Sequence, residues 1–153
     1  MEFSTPDLSD AFPEVKALLP IMENYGGKSS FFGPIQTLKC PDDNSLIKEQ
    51  LNSEGNNQVL IVDAEGVNTV ALLGDLIADA GMKNNWSGIV VNGYIRDVDI
   101  IKTLDIGVQA LGTYPIKSEK RGLGELGIEI CFGGLTFRPG QYIYADNNGL
   151  LLS

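Results

Sequence analysis

The sequence predicts a mixed α/β domain, and three observations carry that expectation. Two short apolar runs, Val59-Leu60-Ile61-Val62 and Gly88-Ile89-Val90-Val91, have the composition of strands buried on both faces. Helical patterns alternate with them, an order that implies parallel pairing through right-handed crossovers. Beyond Gly122 the pattern becomes β-rich, and Asn148-Gly149 stands between two apolar runs as a hairpin signal. A parallel middle followed by an antiparallel end is therefore expected. No repeat, low-complexity segment or linker divides the chain, so residues 1–153 are read as one domain.

The elements follow in order. Ser4-Thr5-Pro6-Asp7 is a helix start, with a capping hydroxyl ahead of Pro and Asp in the first turn. Pro13 interrupts that helix, and a second helical piece is expected near Glu14–Leu19. Gly26-Gly27 breaks the chain. Phe31–Cys40 reads as a strand with a bend at Gly33-Pro34. Pro41–Asn44 has turn composition, and Ser45–Ser53 presents Leu46, Ile47 and Leu51 as one helix face. Val70–Ala80 is a helical pattern ended by Gly81. Val98–Leu104 is another, and Val108–Leu111 is a short strand. Ile128–Phe132, Leu135–Phe137, Tyr142–Tyr144 and Leu150–Leu152 supply the antiparallel end.

Composition narrows the chemistry. Twenty Asp and Glu oppose 11 Lys and Arg, a formal net charge of −9. That balance disfavours direct nucleic-acid binding and adsorption to an anionic membrane. The chain has no histidine, which removes Ser-His and Cys-His nucleophiles and imidazole metal sites. Acid–base work then falls to carboxylates, Lys, Tyr, Cys or water on a metal. Cys40 and Cys131 have no CxxC spacing and are expected to be buried free thiols. The first ten residues lack the apolar core of a signal peptide, and no apolar run approaches a membrane span. A soluble cytoplasmic protein is expected.

Three local patterns are candidates for function. Gly122-Leu123-Gly124-Glu125-Leu126-Gly127 matches GxGxxG, but no strand precedes it and no helix follows, so it is read as a loop. Gly74-Asp75-Leu76-Ile77 opens a helix, where unpaired N–H groups attract anions and Gly74 admits a ligand to the backbone. Its plain alternative is a capped core helix. Asn92-Gly93-Tyr94-Ile95-Arg96-Asp97 follows a strand, at the carboxyl end where open α/β sheets place ligands. There Arg96 suits a carboxylate and Asp97 a hard divalent cation, the alternative being a surface ion pair. Asp146 reads as a turn former. Lys28 and Lys39 are open between surface and site.

Asp75 and Arg96 flank residues 76–95, a spacing of 20, and Asp97 follows directly. This Asp-x20-Arg-Asp pattern resembles the signature of the class II, metal-dependent 4-hydroxy-4-methyl-2-oxoglutarate aldolases. These share a fold with the RraA-like regulators of ribonuclease E. Further likeness lies in Gly26–Phe31, Thr37–Cys40, Val59–Ala64, Gly88–Val98 and Tyr144–Gly149, nearly the whole chain. The resemblance implies a single-domain α/β/β sandwich related to swivelling phosphohistidine domains, with a mixed sheet, assembled as a homotrimer with sites between subunits. It implies that Gly74, Asp75, Leu76, Ile77 and Arg96 bind an α-keto acid. Asp97 would ligate Mg²⁺ or Mn²⁺, with Asp75 assisting through water, and Asp75 and Arg96 would be catalytic. Cleaving a 4-hydroxy-2-oxo acid and decarboxylating oxaloacetate leave the same pyruvate enolate, whose charge a divalent ion stabilises.

The same resemblance implies an alternative, a non-enzymatic regulator that binds and inhibits ribonuclease E without touching RNA. A charge of −9 suits docking to Arg-rich segments. Aldolases of this kind carry further C-terminal sequence with an acidic residue that completes a neighbour's site. This chain ends at Ser153 without such a tail, which counts against full aldol cleavage and less against a simpler decarboxylation. A structural trimer with neither turnover nor partner is the third possibility. Asp75, Arg96 and Asp97 together favour the lyase.

Overall fold

The protein, described over residues 2–153 by a computed structural model, runs α1 (Thr5–Ala11), β1 (Lys16–Ala17), β2 (Glu23–Asn24), β3 (Phe31–Lys39), α2 (Ser45–Leu51) and β4 (Val59–Asp63). It continues α3 (Asp75–Lys83), β5 (Gly88–Ile95), α4 (Val98–Ile101), β6 (Gly107–Thr113) and β7 (Glu125–Leu126). The end is β8 (Ile130–Phe132), β9 (Leu135–Phe137), β10 (Tyr142–Asp146) and β11 (Gly149–Leu152). α1 starts as expected, with the Asp7 N–H donating to Ser4 Oγ at 3.2 Å. The helical piece expected near residues 14–19 is instead β1, where Lys16 and Ala17 face Leu152 and Leu151. Pro13 and Pro20 bound a segment too short to nucleate a helix, and β11 offers it a ladder instead.

β3 joins two kinds of sheet. Phe31–Pro34 pair antiparallel with β10, whereas Ile35–Lys39 pair parallel with β4. The strand is continuous, so the expected bend at Gly33-Pro34 is absent and the dipeptide marks the change of partner. The order β1-β11-β10-β3-β4-β5-β6-β2 makes one mixed, curled sheet, with β7 alongside the end of β3. Each face of that sheet is covered. Leu60, Val62, Ile89 and Val91 pack under the helices with Ile47, Leu51, Ala78 and Ile101. Val59, Ile61 and Val90 pack on the other side against the β8–β9 hairpin through Ile130, Leu135 and Phe137. Each such fully buried aliphatic chain contributes about 1.5–3 kcal/mol. The helix, sheet and hairpin layers are the expected α/β/β arrangement.

Several boundaries differ from the sequence reading. Val70–Gly74 is not helical: Val70 lies in a bend, Ala71 bridges Tyr94 and Lys117, and α3 begins only at Asp75. Ala71, Leu72 and Leu73 are all buried, which one face of a helix cannot achieve with consecutive residues. Their backbone is held on both sides: the Ala71 N–H donates to the Ile116 carbonyl, Leu72 to Tyr94, and Arg96 donates to Leu73 at 2.9 Å. Gly81 does not end α3. It lies inside the helix, where an added Cβ would stand 3.1 Å from Leu51 of α2. α4 is one turn rather than the seven residues expected.

The final hairpin forms, with Asp146 opposite Gly149, so Asn147-Asn148 are its loop. Asp146 does more than turn the chain. Its carboxylate accepts the Thr5 N–H at 2.8 Å and the Thr5 hydroxyl at 2.7 Å, pinning α1, and also the Asn148 N–H at 2.8 Å. Both cysteines are free. Cys40 is buried, and burial pushes its thiol up to about 12. Cys131 is exposed, contrary to expectation, because the alternation of β8 turns its central residue outward. Among the described residues no helix is long and apolar enough to cross a membrane.

Candidate active site

The carboxyl end of β5 meets the start of α3. Arg96 and Asp97 leave β5 there, and the Val70–Gly74 segment lies beside them. The strand–turn–helix order places a sharp reversal at Asp97, whose φ of 59° is left-handed. Asp and Asn accept that conformation better than most residues. The reversal is braced, since the Asp97 carbonyl accepts N–H bonds from Ile100 at 3.0 Å and Ile101 at 2.9 Å. The carboxylate turns back toward α3, where Oδ2 accepts the Asp75 N–H at 3.2 Å. Asp97 thus sits at the positive end of a nine-residue helix.

Arg96 is 39 % exposed at its side chain. Its Nη1 donates to the Pro115 carbonyl at 3.3 Å, and its Nε lies 4.0 Å from Asp97 Oδ2. Those two contacts aim the guanidinium and leave other N–H groups free for a ligand. Gly74 caps α3 in an extended conformation, and a Cβ there would stand 2.7 Å from Asp97 Oδ2. The absence of a side chain at Gly74 is what lets the Asp97 carboxylate reach the helix. Leu76 and Ile77 occupy the first turn, whose N–H groups have no carbonyl of their own helix to bond.

These residues line one cleft of about 210 Å³. The structure therefore brings together Gly74, Asp75, Leu76, Ile77, Arg96 and Asp97. Lys28 and Lys39 do not join them; Lys39 pairs with Glu65 at 3.1 Å. Sequence reasoning missed part of the cleft wall, made by Asn44, Lys48, Lys117 and Lys120. No local motif marks these positions, which lie far from the signature along the chain. The GxGxxG stretch is not wholly the loop expected: its Glu125 and Leu126 are β7, paired with Lys39 and Leu38, and Gly122, Gly124 and Gly127 have positive φ around it.

Asp43 fastens that wall. Its carboxylate accepts N–H bonds from Ser45 at 2.8 Å, Arg121 at 2.7 Å and Leu123 at 3.0 Å, plus the Ser45 hydroxyl at 2.5 Å. Burial alone would raise its pKa, but the hydrogen bonds prevail and hold it at about 2. A depressed carboxylate stabilises the fold above its unfolded value and loses that contribution as pH falls through the folded value. Asp43→Asn should therefore cost about 2 kcal/mol at neutral pH. Urea unfolding should show the two proteins converging as pH drops from about 4 toward 2. A constant difference across that window would mean the charge at Asp43 is not what fastens the loop.

A family model described as RraA-like: Aldolase/RraA matches residues 5–152. A protein of Pseudomonas fluorescens (strain Pf0-1), named "Putative 4-hydroxy-4-methyl-2-oxoglutarate aldolase", is 56% identical over 99% of this chain and 93% of its own. A solved structure from Thermus thermophilis, described as the RNA-processing inhibitor RraA, is 40% identical with a TM-score of 0.95 over 99% of this chain and 93% of that one. Another, from Geobacillus kaustophilus HTA426, is described as an S-adenosylmethionine: 2-dimethylmenaquinone methyltransferase. It is 39% identical with a TM-score of 0.96 over 99% of this chain and 94% of that one. Fold and sequence agree from one end of the matched region to the other, and the chain belongs to the RraA-like, Aldolase/RraA family.

Proposed function

We propose that the cleft is the active site of a divalent-metal-dependent carbon–carbon lyase acting on α-keto acids. Its substrates are 4-hydroxy-4-methyl-2-oxoglutarate or 4-carboxy-4-hydroxy-2-oxoadipate, cleaved by aldol reversal, and oxaloacetate, which it decarboxylates. The observation that carries this reading is the convergence of Arg96, Asp97 and the first turn of α3 on one cleft. The relatives named as aldolases support it.

Arg96 grips the carboxylate of the α-keto acid with its planar fork. The N–H groups of Leu76 and Ile77 face the charge that develops on the keto oxygen. Asp75, in the same turn, takes the proton of a 4-hydroxyl through water. The donor set fits a hard divalent cation: carboxylates are present, and no imidazole exists in the chain. Mg²⁺ often takes only one or two protein carboxylates and keeps several waters. In this reading Asp97 is the principal ligand and Asp75 acts through water; among the described residues no cluster of three acidic or thiol side chains surrounds one point. When bound, Mg²⁺ or Mn²⁺ supplies positive charge to the keto acid oxygens as the C–C bond breaks.

Pyruvate formation from oxaloacetate and from 4-hydroxy-4-methyl-2-oxoglutarate tests the proposal, with Mg²⁺ and with EDTA. Turnover that EDTA removes and Mg²⁺ restores is expected; background rates from folded protein reject it. Gly74→Ala should keep the fold but push the Asp97 carboxylate off the start of α3. A misplacement of this size costs on the order of 100-fold in kcat/KM. Wild-type rates in that variant would show that the contact is not needed.

A second reading has its own observation. The net charge of −9, together with the neighbour described as an RNA-processing inhibitor, favours docking to a basic segment of ribonuclease E. Binding should weaken with salt, and no complex at low salt rejects it. The chain acts as one RraA-like unit over residues 1–153, forms a homotrimer and works in the cytoplasm; a monomer in sedimentation at micromolar concentration contradicts the assembly.

A further inference from the structure

The chain holds two Asn-Gly dipeptides, Asn92-Gly93 and Asn148-Gly149, and the fold treats them differently. Asn-Gly is prone to an internal reaction, because a following residue without Cβ leaves its backbone nitrogen open to the asparagine side chain. Asn92 lies inside β5, paired with Asp63 of β4, and its Nδ2 donates to Asp63 Oδ1 at 2.9 Å. Gly93 is buried, and a Cβ there would stand 2.8 Å from Cβ of Ala64. Asn148 is exposed at the tip of the β10–β11 hairpin, where Asp146 faces Gly149. Gly149 has a φ of 151°, and nothing lies within 4 Å of the place a Cβ would take. The neighbouring Asn147 is held by Asn24, whose Nδ2 donates to its Oδ1 at 3.1 Å.

We infer that Asn148 is a self-modification site, which converts through a cyclic imide to aspartate and isoaspartate and thereby releases α1. The Gly149 amide nitrogen gives its proton to solvent and attacks Asn148 Cγ. A C–N bond forms, the bond from Cγ to Nδ2 breaks, and Nδ2 leaves as ammonia with a proton from water. Water then opens the ring. Attack at Cγ gives aspartate, and attack at the main-chain carbonyl gives isoaspartate. The sequence of steps needs only water.

The hairpin tip is also what holds the start of the chain. The Asp146 carboxylate accepts the Asn148 N–H at 2.8 Å, and it accepts the N–H and the hydroxyl of Thr5, which opens α1. Isoaspartate lengthens the main chain by one carbon and leaves a new carboxylate beside Asp146. A two-residue loop in register with its strands has no slack for that carbon, and like charges repel. The Asp146 carboxylate is drawn off Thr5, and the first turn of α1 comes free. None of these residues lines the cleft, so the inference stands apart from the lyase reading.

The test ages the full chain and its Asn148→Gln variant, warm and at mildly alkaline pH. Peptide mass spectrometry locates the products, and enzymatic carboxyl methylation labels isoaspartate. Wild type should accumulate both isomers at residue 148 at least about tenfold faster than at residue 92, since Asn92 reacts only when β5 opens. Asn148→Gln keeps the backbone N–H to Asp146 and would need a larger, slower ring, so it should stay intact. Hydrogen exchange at the Thr5 amide reads the release: aged wild type should exchange at least about tenfold faster than fresh, and aged Asn148→Gln should not change. Intact asparagine at 148, aspartate without isoaspartate, or equal reaction at 92 overturns the site. Isoaspartate at 148 with Thr5 still protected overturns the release of α1.

Discussion

Arg96→Ala yields a folded protein that no longer binds pyruvate. The fold survives because the backbone N–H of Arg96 still donates to the Leu73 carbonyl, and because the lost side chain is 39 % exposed. Binding does not survive, because nothing else at that end of the cleft offers a planar pair of donors to a carboxylate. The lysines of the cleft carry point-like ammonium groups rather than a fork. Losing a charge-assisted contact at this partly exposed side chain costs about 1.5–3 kcal/mol, or roughly 10- to 150-fold in affinity. Arg96→Lys should recover little of this, since an ammonium cannot reproduce the fork or its bond to Pro115. Calorimetry with pyruvate and thermal unfolding, run side by side, separate loss of binding from loss of fold. Retained pyruvate affinity in Arg96→Ala would remove the arginine from the account.

Asp97→Asn is the second large effect. The exchange keeps the shape and the acceptor oxygen, so the Asp75 N–H retains a partner. Asn also tolerates the left-handed φ of 59° at this position. Stability should therefore stay within about 1 kcal/mol of wild type. What disappears is the negative charge, the feature that a hard cation requires. Metal-dependent pyruvate formation should fall by about three orders of magnitude, the scale of losing a main electrostatic contributor. Mn²⁺ binding, followed by its paramagnetic relaxation of water, should weaken in parallel. Normal Mn²⁺ binding by the variant would place the cation elsewhere.

The parallel centre of the fold was legible because residues buried on both faces leave continuous apolar runs, as at 59–62 and 88–91. The signature residues were legible because strand end and helix start each bring their own chemistry. The rest depended on partners distant in sequence. Glu14–Leu19 is expected as a helical piece, yet β11 takes Lys16 and Ala17 into its ladder. Val70–Gly74 joins a helical pattern on paper, but Ile116 and Tyr94 hold Ala71 and Leu72 out of the helix. The lysine wall is assembled by Asp43, which accepts bonds from residues about 80 positions away along the chain. No window of sequence reveals such an arrangement.

The double pairing of β3 has a consequence for how the protein is made. Residues 31–34 find their neighbours only at 142–145. During synthesis the parallel strands β3 to β6 are available early, while that flank of β3 waits, with its backbone groups open, through some hundred residues. An open strand edge is a template for foreign chains. Nascent or C-terminally nicked protein is therefore the species most exposed to misassembly, and the chaperone demand of this fold concentrates in that interval. Once the hairpin docks, Lys16 and Ala17 add outside it and Asp146 ties down Thr5, so both ends of the chain are sealed in one late event.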